Sequence, residues 1–153
     1  MAEVRQTVPP LSTAEATSLR CVAAAMIPPS ARYDVPGADD EVIFADIIAS
    51  LGRDAALVRR ALALLDDLAG AALPGLSADA QDDVLERFRR RYPDLTATLV
   101  HVVVCCYYRD DRVMRSLGME PRPPFPKGFD VEAGDFSLLD PVRARGPIHR
   151  QVP

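Results

Sequence analysis

Histidine is almost missing from this chain of 153 residues, cysteine is scarce, the glycines never cluster and no apolar run is long. Each shortage removes a class of function. The eight glycines form neither a phosphate loop nor a dinucleotide fingerprint, and no Gly-x-Ser-x-Gly elbow occurs. The longest apolar run, Leu99 to Tyr108, falls well short of the ~20 residues that span a bilayer. Positive charge is also in short supply: the net charge is −4, and seventeen of the eighteen basic residues are arginine. Phosphate binding needs a clustered positive surface, so a nucleic-acid partner is disfavoured. Met1 to Leu11 has one arginine and no apolar core of the kind a secretion signal requires. It has no twin-arginine motif either, and the expectation is a soluble, cytoplasmic protein without membrane insertion.

Three cysteines, Cys21, Cys105 and Cys106, cannot all pair within one chain. Cys105 and Cys106 are neighbours in a run that reads as helix, where adjacent side chains diverge, so they do not suit a mutual bridge. Their spacing matches no zinc pattern. Reduced, partly buried structural thiols are expected, which fits a reducing compartment.

What is present is helix. Leu11-Ser12-Thr13-Ala14-Glu15 carries a capping box, with Leu19, Val22, Ala23 and Met26 on one face, and Pro28-Pro29 stops the helix. Asp39 or Asp40 caps a second helix with Ile43, Ile47 and Leu51 at four-residue spacing, and Gly52 suits its end. A third begins at Asp54, with Leu57, Val58, Ala61, Leu62, Leu65 and Leu68 as an apolar stripe closed by Gly70. Ser77 caps a fourth, which turns Leu85, Phe88 and Tyr92 inward. Its pairs Asp83–Arg87 and Glu86–Arg90 have the acid-before-base order that supports a helix. The run Arg89-Arg90-Arg91 reads as a solvated face near a helix C-terminus, where positive charge suits the dipole.

Pro93 opens a fifth helix that is apolar nearly all round from Leu95 to Tyr108, which predicts a central helix or one covered on its outer side. A short sixth runs from Asp110 to Leu117 and ends at Gly118. No strand pattern and no internal repeat occur. The fold class is therefore all-α: a bundle of five or six short helices over 1–118, followed by an extended proline-rich C-terminal arm over 119–153.

Chemistry-bearing groups are few. His101 has only Cys105, at i+4, as a candidate ligand on its own face. A two-ligand pair needs further ligands from facing helices, and no Glu-x-x-His motif occurs. A satisfied core or interface histidine is the favoured reading. The rival reading is a stand-alone helical enzyme or metal-binding protein that uses His101. Asp66-Asp67 and Asp82-Asp83 diverge on a helix and make poor acid–base pairs. His149 reads as surface. No catalytic, cofactor-binding or metal-binding residue is assigned.

The arm is the distinctive stretch. Seven of fourteen prolines lie from Pro121 to Pro153, interleaved with Phe125, Phe129, Phe136, Leu138, Leu139 and Ile148. Five Lys/Arg balance five Asp/Glu from Met119 onward. Disordered tails are poor in large apolar groups, so this segment reads as an extended, polyproline-like strap that lies on a surface. That surface is either its own helices or another protein. Phe125, Phe129 and Phe136 are anchors in a partner pocket or a lid over the fifth helix. Arg143 and Arg145 offer planar donor forks to a partner or to the helices' acidic faces.

Tyr107-Tyr108-Arg109-Asp110, Leu117-Gly118, Arg122-Pro123-Pro124-Phe125-Pro126-Lys127-Gly128 and Leu138-Leu139-Asp140-Pro141-Val142-Arg143, read together, resemble the gluconate 2-dehydrogenase subunit 3 family. Leu11-Ser12-Thr13-Ala14-Glu15 and Ile27-Pro28-Pro29 suit the same family. Its members are small gamma subunits that accompany FAD-dependent dehydrogenases of the glucose-methanol-choline type. The resemblance implies an all-helical, non-catalytic subunit with no cofactor of its own, the FAD residing in the large partner. Its expected role is to support the folding, solubility and FAD loading of a flavoprotein acting on sugars or glycosides. The expected partner-binding residues are Tyr107, Tyr108, Arg109, Pro123, Pro124, Phe125, Pro126, Lys127, Leu139, Asp140 and Arg143 from the matching text. Phe129, Phe136 and Arg145 join them as further anchors and a further donor fork.

Overall fold

The computed structural model describes residues 10–123, 125–128, 130 and 133–146. It is all-α, with no strand among the described residues. Seven α-helices follow one another: α1 (Thr13–Met26), α2 (Glu41–Ser50), α3 (Ala55–Ala69), α4 (Ala78–Arg91), α5 (Pro93–Tyr107), α6 (Asp111–Ser116) and α7 (Asp140–Ala144). Tight 3-10 turns occupy Gly52–Asp54, Leu73–Gly75 and Phe136–Leu139. The chain divides into two compact units, Met1–Pro121 and Arg122–Pro153.

In the first unit the helix starts follow from their caps. The Ser12 amide donates to Glu15 Oε2 at 2.7 Å and the Glu15 amide donates to Ser12 Oγ at 3.2 Å, a complete capping box. Asp40, rather than Asp39, caps α2, its Oδ1 accepting from the amides of Val42 and Ile43. Ser77 caps α4 and Asp110 caps α6, while Pro93 occupies the first turn of α5, where its missing N–H costs nothing. Gly70, at φ 68°, ends α3 in the left-handed region. Gly37 sits in a tight place instead: a Cβ there would crowd Pro29 Cδ at 3.0 Å and the Ile27 carbonyl at 3.1 Å.

α3 packs against α4 and α5, and α2 packs against α5. The core runs through Leu19 and Val22 of α1, Ile43 and Ile47 of α2, Val58, Leu62 and Leu65 of α3, Phe88 of α4, and Leu99 and Val103 of α5. Two expectations shift. Leu57, assigned to the inward stripe of α3, is exposed, and Ala55 is buried instead. Leu85 and Tyr92 are only partly buried, whereas Val84 joins Phe88 on the inner face of α4. Val84 and Phe88 stand at i, i+4, the spacing that puts two side chains on one face.

In the second unit the described residues include one short helical stretch. Phe136–Leu139 is a 3-10 turn leading directly into α7. Asp135 nucleates it, its carboxylate accepting from the Ser137 amide at 3.0 Å and hydroxyl at 2.6 Å. Pro141 then sits in the first turn of α7, where proline's fixed φ favours helix. Earlier, Arg122 Nη2 donates to the Gly128 carbonyl at 2.6 Å and closes the turn around 125–127. Pro124, Phe129, Ile148 and His149 lie outside the described residues.

Candidate interaction surface

The residues expected to meet a partner fall into two groups. Tyr107, Tyr108 and Arg109 close α5 in the first unit. Tyr107 is buried, and its hydroxyl donates to the Pro36 carbonyl at 3.2 Å, tying α5 to the loop after α1. Burial pushes its phenol up from the ordinary value. It is a framework residue. Tyr108 is exposed and its ring meets that of Tyr107 edge-on, with centroids 5.3 Å apart. Arg109 points back onto α2: its Nη2 lies 2.5 Å from Asp46 Oδ2 and 2.8 Å from Ser50 Oγ.

Beside it, Arg112 links two helix starts, a contact between positions too far apart in sequence for spacing to reveal. Its guanidinium reaches Asp40 Oδ1 at 2.6 Å and Asp110 Oδ2 at 3.0 Å, the carboxylates that cap α2 and α6. The hydrogen bonds from Arg112 favour the charged form of both, holding the Asp40 and Asp110 carboxyls below the usual carboxylate range. Each aspartate does two things at once, satisfying helix-terminal amides and a cation.

Three of the four arginines of α4 are likewise engaged with carboxylates of their own helix, and Arg91 lies over the Tyr92 ring. Arg89 and Arg90 both reach Glu86, at 2.8 and 2.7 Å, and hold its carboxyl down to about 2. Arg87 pairs with Asp83 at 3.2 Å. This is the solvated, self-paired face that the spacing predicts.

The second group lies in the second unit, and the side chains there are in water. Phe125 is 84% exposed, Phe136 64% and Leu138 74%, with Leu139 and Val142 also exposed. Pro123, Pro126, Lys127, Asp140, Arg143 and Arg145 are exposed too. Arg143 pairs with Asp140 one turn back at 3.1 Å, so both charges stand on one side of α7. Every described residue from Pro123 to Gly146 is exposed. The apolar ones have no interior of their own, and that is the property an interaction segment would show.

α5 supplies a further surface that the sequence left open. Its inner face, Leu95, Leu99, Val102, Val103, Cys106 and Tyr107, is buried. On the outer side Val100, His101, Cys105 and Tyr108 are exposed. His101 is therefore not a core histidine, and Cys105 is not a buried thiol. Cys106 does fit that expectation, and burial pushes its thiol up, as it does the half-buried thiol of Cys21. Among the described residues no group of three His, Cys, Asp or Glu side chains is placed to hold a metal ion. No described helix is long and apolar enough to cross a membrane.

The surface of the first unit also carries concavities, among them one of about 440 Å³ lined by Val42, Asp46, Cys106 and Arg109. A second, of about 850 Å³, is lined by the loop around Tyr33 and by Arg112, Arg115 and Ser116. Another, of about 330 Å³, lies between α1, α4 and α5 over Val22, Met26, Leu85 and Leu99. In the second, Arg112 is matched by Asp40 and Asp110, and Arg115 by Asp111 at 3.0 Å, so the arginines there carry little uncompensated charge for an anion. No family model matches the chain, and no curated protein or solved structure matches it either.

Proposed function

We propose that this chain is a non-catalytic small subunit that binds and stabilises a large FAD-dependent oxidoreductase of the glucose-methanol-choline type acting on sugars or glycosides. The resemblance of its last third to gluconate 2-dehydrogenase subunit 3 names the partner class. One structural observation carries the binding role: Phe125, Phe136, Leu138, Leu139 and Val142 are all exposed within a unit that has no buried residue of its own in its turn or helix. Burying such side chains against a partner is worth about 1.5–3 kcal/mol each before ordering costs. The FAD sits in the partner, and this chain contributes surface rather than chemistry. Arg143 and Asp140, exposed beside the apolar row, supply polar contacts at its rim. The free thiols suit a reducing compartment, which supports a cytoplasmic complex as part of this reading.

The test is co-expression with a glucose-methanol-choline-type flavoprotein from the same genome. The expected outcome is a higher soluble yield of that flavoprotein, a higher FAD content per chain and co-purification of both. A flavoprotein equally soluble, loaded and active without this chain would overturn the proposal.

A further inference from the structure

The outer face of α5 holds the pair of metal-ligating side chains that nothing in the accessory-subunit reading uses. His101 and Cys105 stand one helical turn apart, both exposed, with Nδ1 and Sγ separated by 3.6 Å. Ligands at i, i+4 on one helix face are a known way to grip a single cation. The separation itself is informative. A tetrahedral zinc with a thiolate at about 2.3 Å and an imidazole nitrogen at about 2.0–2.1 Å holds those two donors about 3.5–3.6 Å apart. The contact is a thiol–imidazole hydrogen bond, and its length matches the donor–donor distance of a zinc chelate. One thiolate and one imidazole also form half of the Cys₂His₂ set typical of closed structural zinc sites.

The other half is not supplied by the described residues of this chain. We propose that His101 and Cys105 bind Zn²⁺ together with the same two residues of a second copy, the two α5 helices crossing antiparallel about a two-fold axis. A two-fold operation duplicates every ligand, so two incomplete pairs become one complete tetrahedron. The face around the pair suits a copy of itself. From Leu95 to Tyr108 the helix has no charged side chain, and Val100 and Tyr108 present apolar surface on either side of the ligands. Like charges, which would oppose self-pairing, are absent from its middle. At its ends stand Asp94 and Arg109, of opposite sign, the arginine already bridged to Asp46. With Arg109 compensated by Asp46, the ends add no strong like-charge repulsion to an antiparallel pairing. On binding, each Cys105 thiol gives its proton to solvent and each His101 coordinates as neutral imidazole, so one zinc releases two thiol protons.

The experiment uses the full chain, stripped with EDTA, kept reduced with a phosphine and titrated with ZnCl₂ while its mass is followed by light scattering. The expected result is a conversion from one chain to two that saturates at half an equivalent of zinc. Co²⁺ in place of Zn²⁺ should give the thiolate charge-transfer band and the intense visible bands of a tetrahedral site. Cys105→Ser and His101→Ala, both at exposed positions that leave the core intact, should each weaken binding at least tenfold and abolish the mass change. Cys21→Ser and His149→Ala should retain both. Helicity by circular dichroism checks that the variants are folded. No metal-dependent change of mass, an equimolar metal on a single chain, or loss of binding in the His149 variant would each overturn the proposal.

Discussion

Phe88 and Phe136 are the same side chain in opposite surroundings. Phe88 is 2% exposed, on the inner face of α4, while Phe136 is 64% exposed at the start of a 3-10 turn. The contrast extends to the units that hold them. In the first, large apolar side chains recur at helical spacing and converge on one core. In the second, the same residue types alternate with proline and glycine, and the local hydrogen bonds of Arg122 and Asp135 shape turns that enclose nothing. Apolar groups in the first unit stabilise the fold. The described ones of the second unit are exposed, so their own turn and helix do not bury them.

The largest effect that tests this difference comes from truncating each ring. Phe88→Ala removes a fully buried aromatic and leaves a cavity, and it should destabilise the protein by about 3–5 kcal/mol in urea unfolding. Phe136→Ala should stay within about 0.5 kcal/mol of the parent, as exposed substitutions do. Its effect should fall instead on capture of the flavoprotein. Similar losses of stability in both variants would erase the distinction.

A second comparison concerns the carboxylates. Asp40 caps α2 and also meets Arg112 of α6, so it joins two elements of the first unit, whereas Asp135 serves only its own turn. Asp40→Ala should cost about 1 kcal/mol through the lost cap alone. The pH dependence has a definite sign. The carboxyls of Asp40 and Asp110 titrate lower in the folded chain than in the unfolded one, because Arg112 and helix amides bind their charged forms. Their stabilisation is complete above the ordinary carboxylate range, about pH 4, and is lost as pH falls through the lowered folded values. Melting temperature should therefore drop below about pH 4, and less steeply in Arg112→Gln. An acid profile unchanged by that substitution would show that the link between α2 and α6 carries no linkage.

Much of the first unit was legible because its signals are local. The Ser12–Glu15 box, the Asp83–Arg87 pair and the Gly70 stop each depend on residues within a turn of one another, and each is found where the spacing put it. The Arg112 clamp was not legible, since nothing in the sequence relates position 112 to position 40 before the helices are packed. The outward side of α5 was hidden for another reason. A helix that is apolar all round has no polar stripe to mark the solvent side, so His101 and Cys105 gave no sign of which way they faced. The turn and helix at 136–144 were obscured by proline, which reads as a breaker but opens a helix when it falls in the first turn. The expected interaction residues were named from the resemblance and from composition, and the exposures separate buried Tyr107 from exposed Phe125 and Phe136.

The smallest expected effect is the most discriminating. A chain ending at Pro121 lacks the whole second unit, just over a fifth of the residues, and with it Phe125 and Phe136. Because each described residue from Pro123 to Gly146 is exposed, the deletion takes away little buried apolar surface, and the melting temperature should move by less than about 4 °C, the equivalent of roughly 1 kcal/mol at this size. Helix content should fall only by the short 3-10 turn and α7. Binding should respond in the opposite way, with co-purification of the flavoprotein lost. If instead the shortened chain melts far below the parent, the apolar groups of the second unit were stabilising the helices. If it keeps its stability and its partner alike, those groups serve neither purpose, and the binding surface belongs on the helical unit, where the outer face of α5 is the first place to substitute.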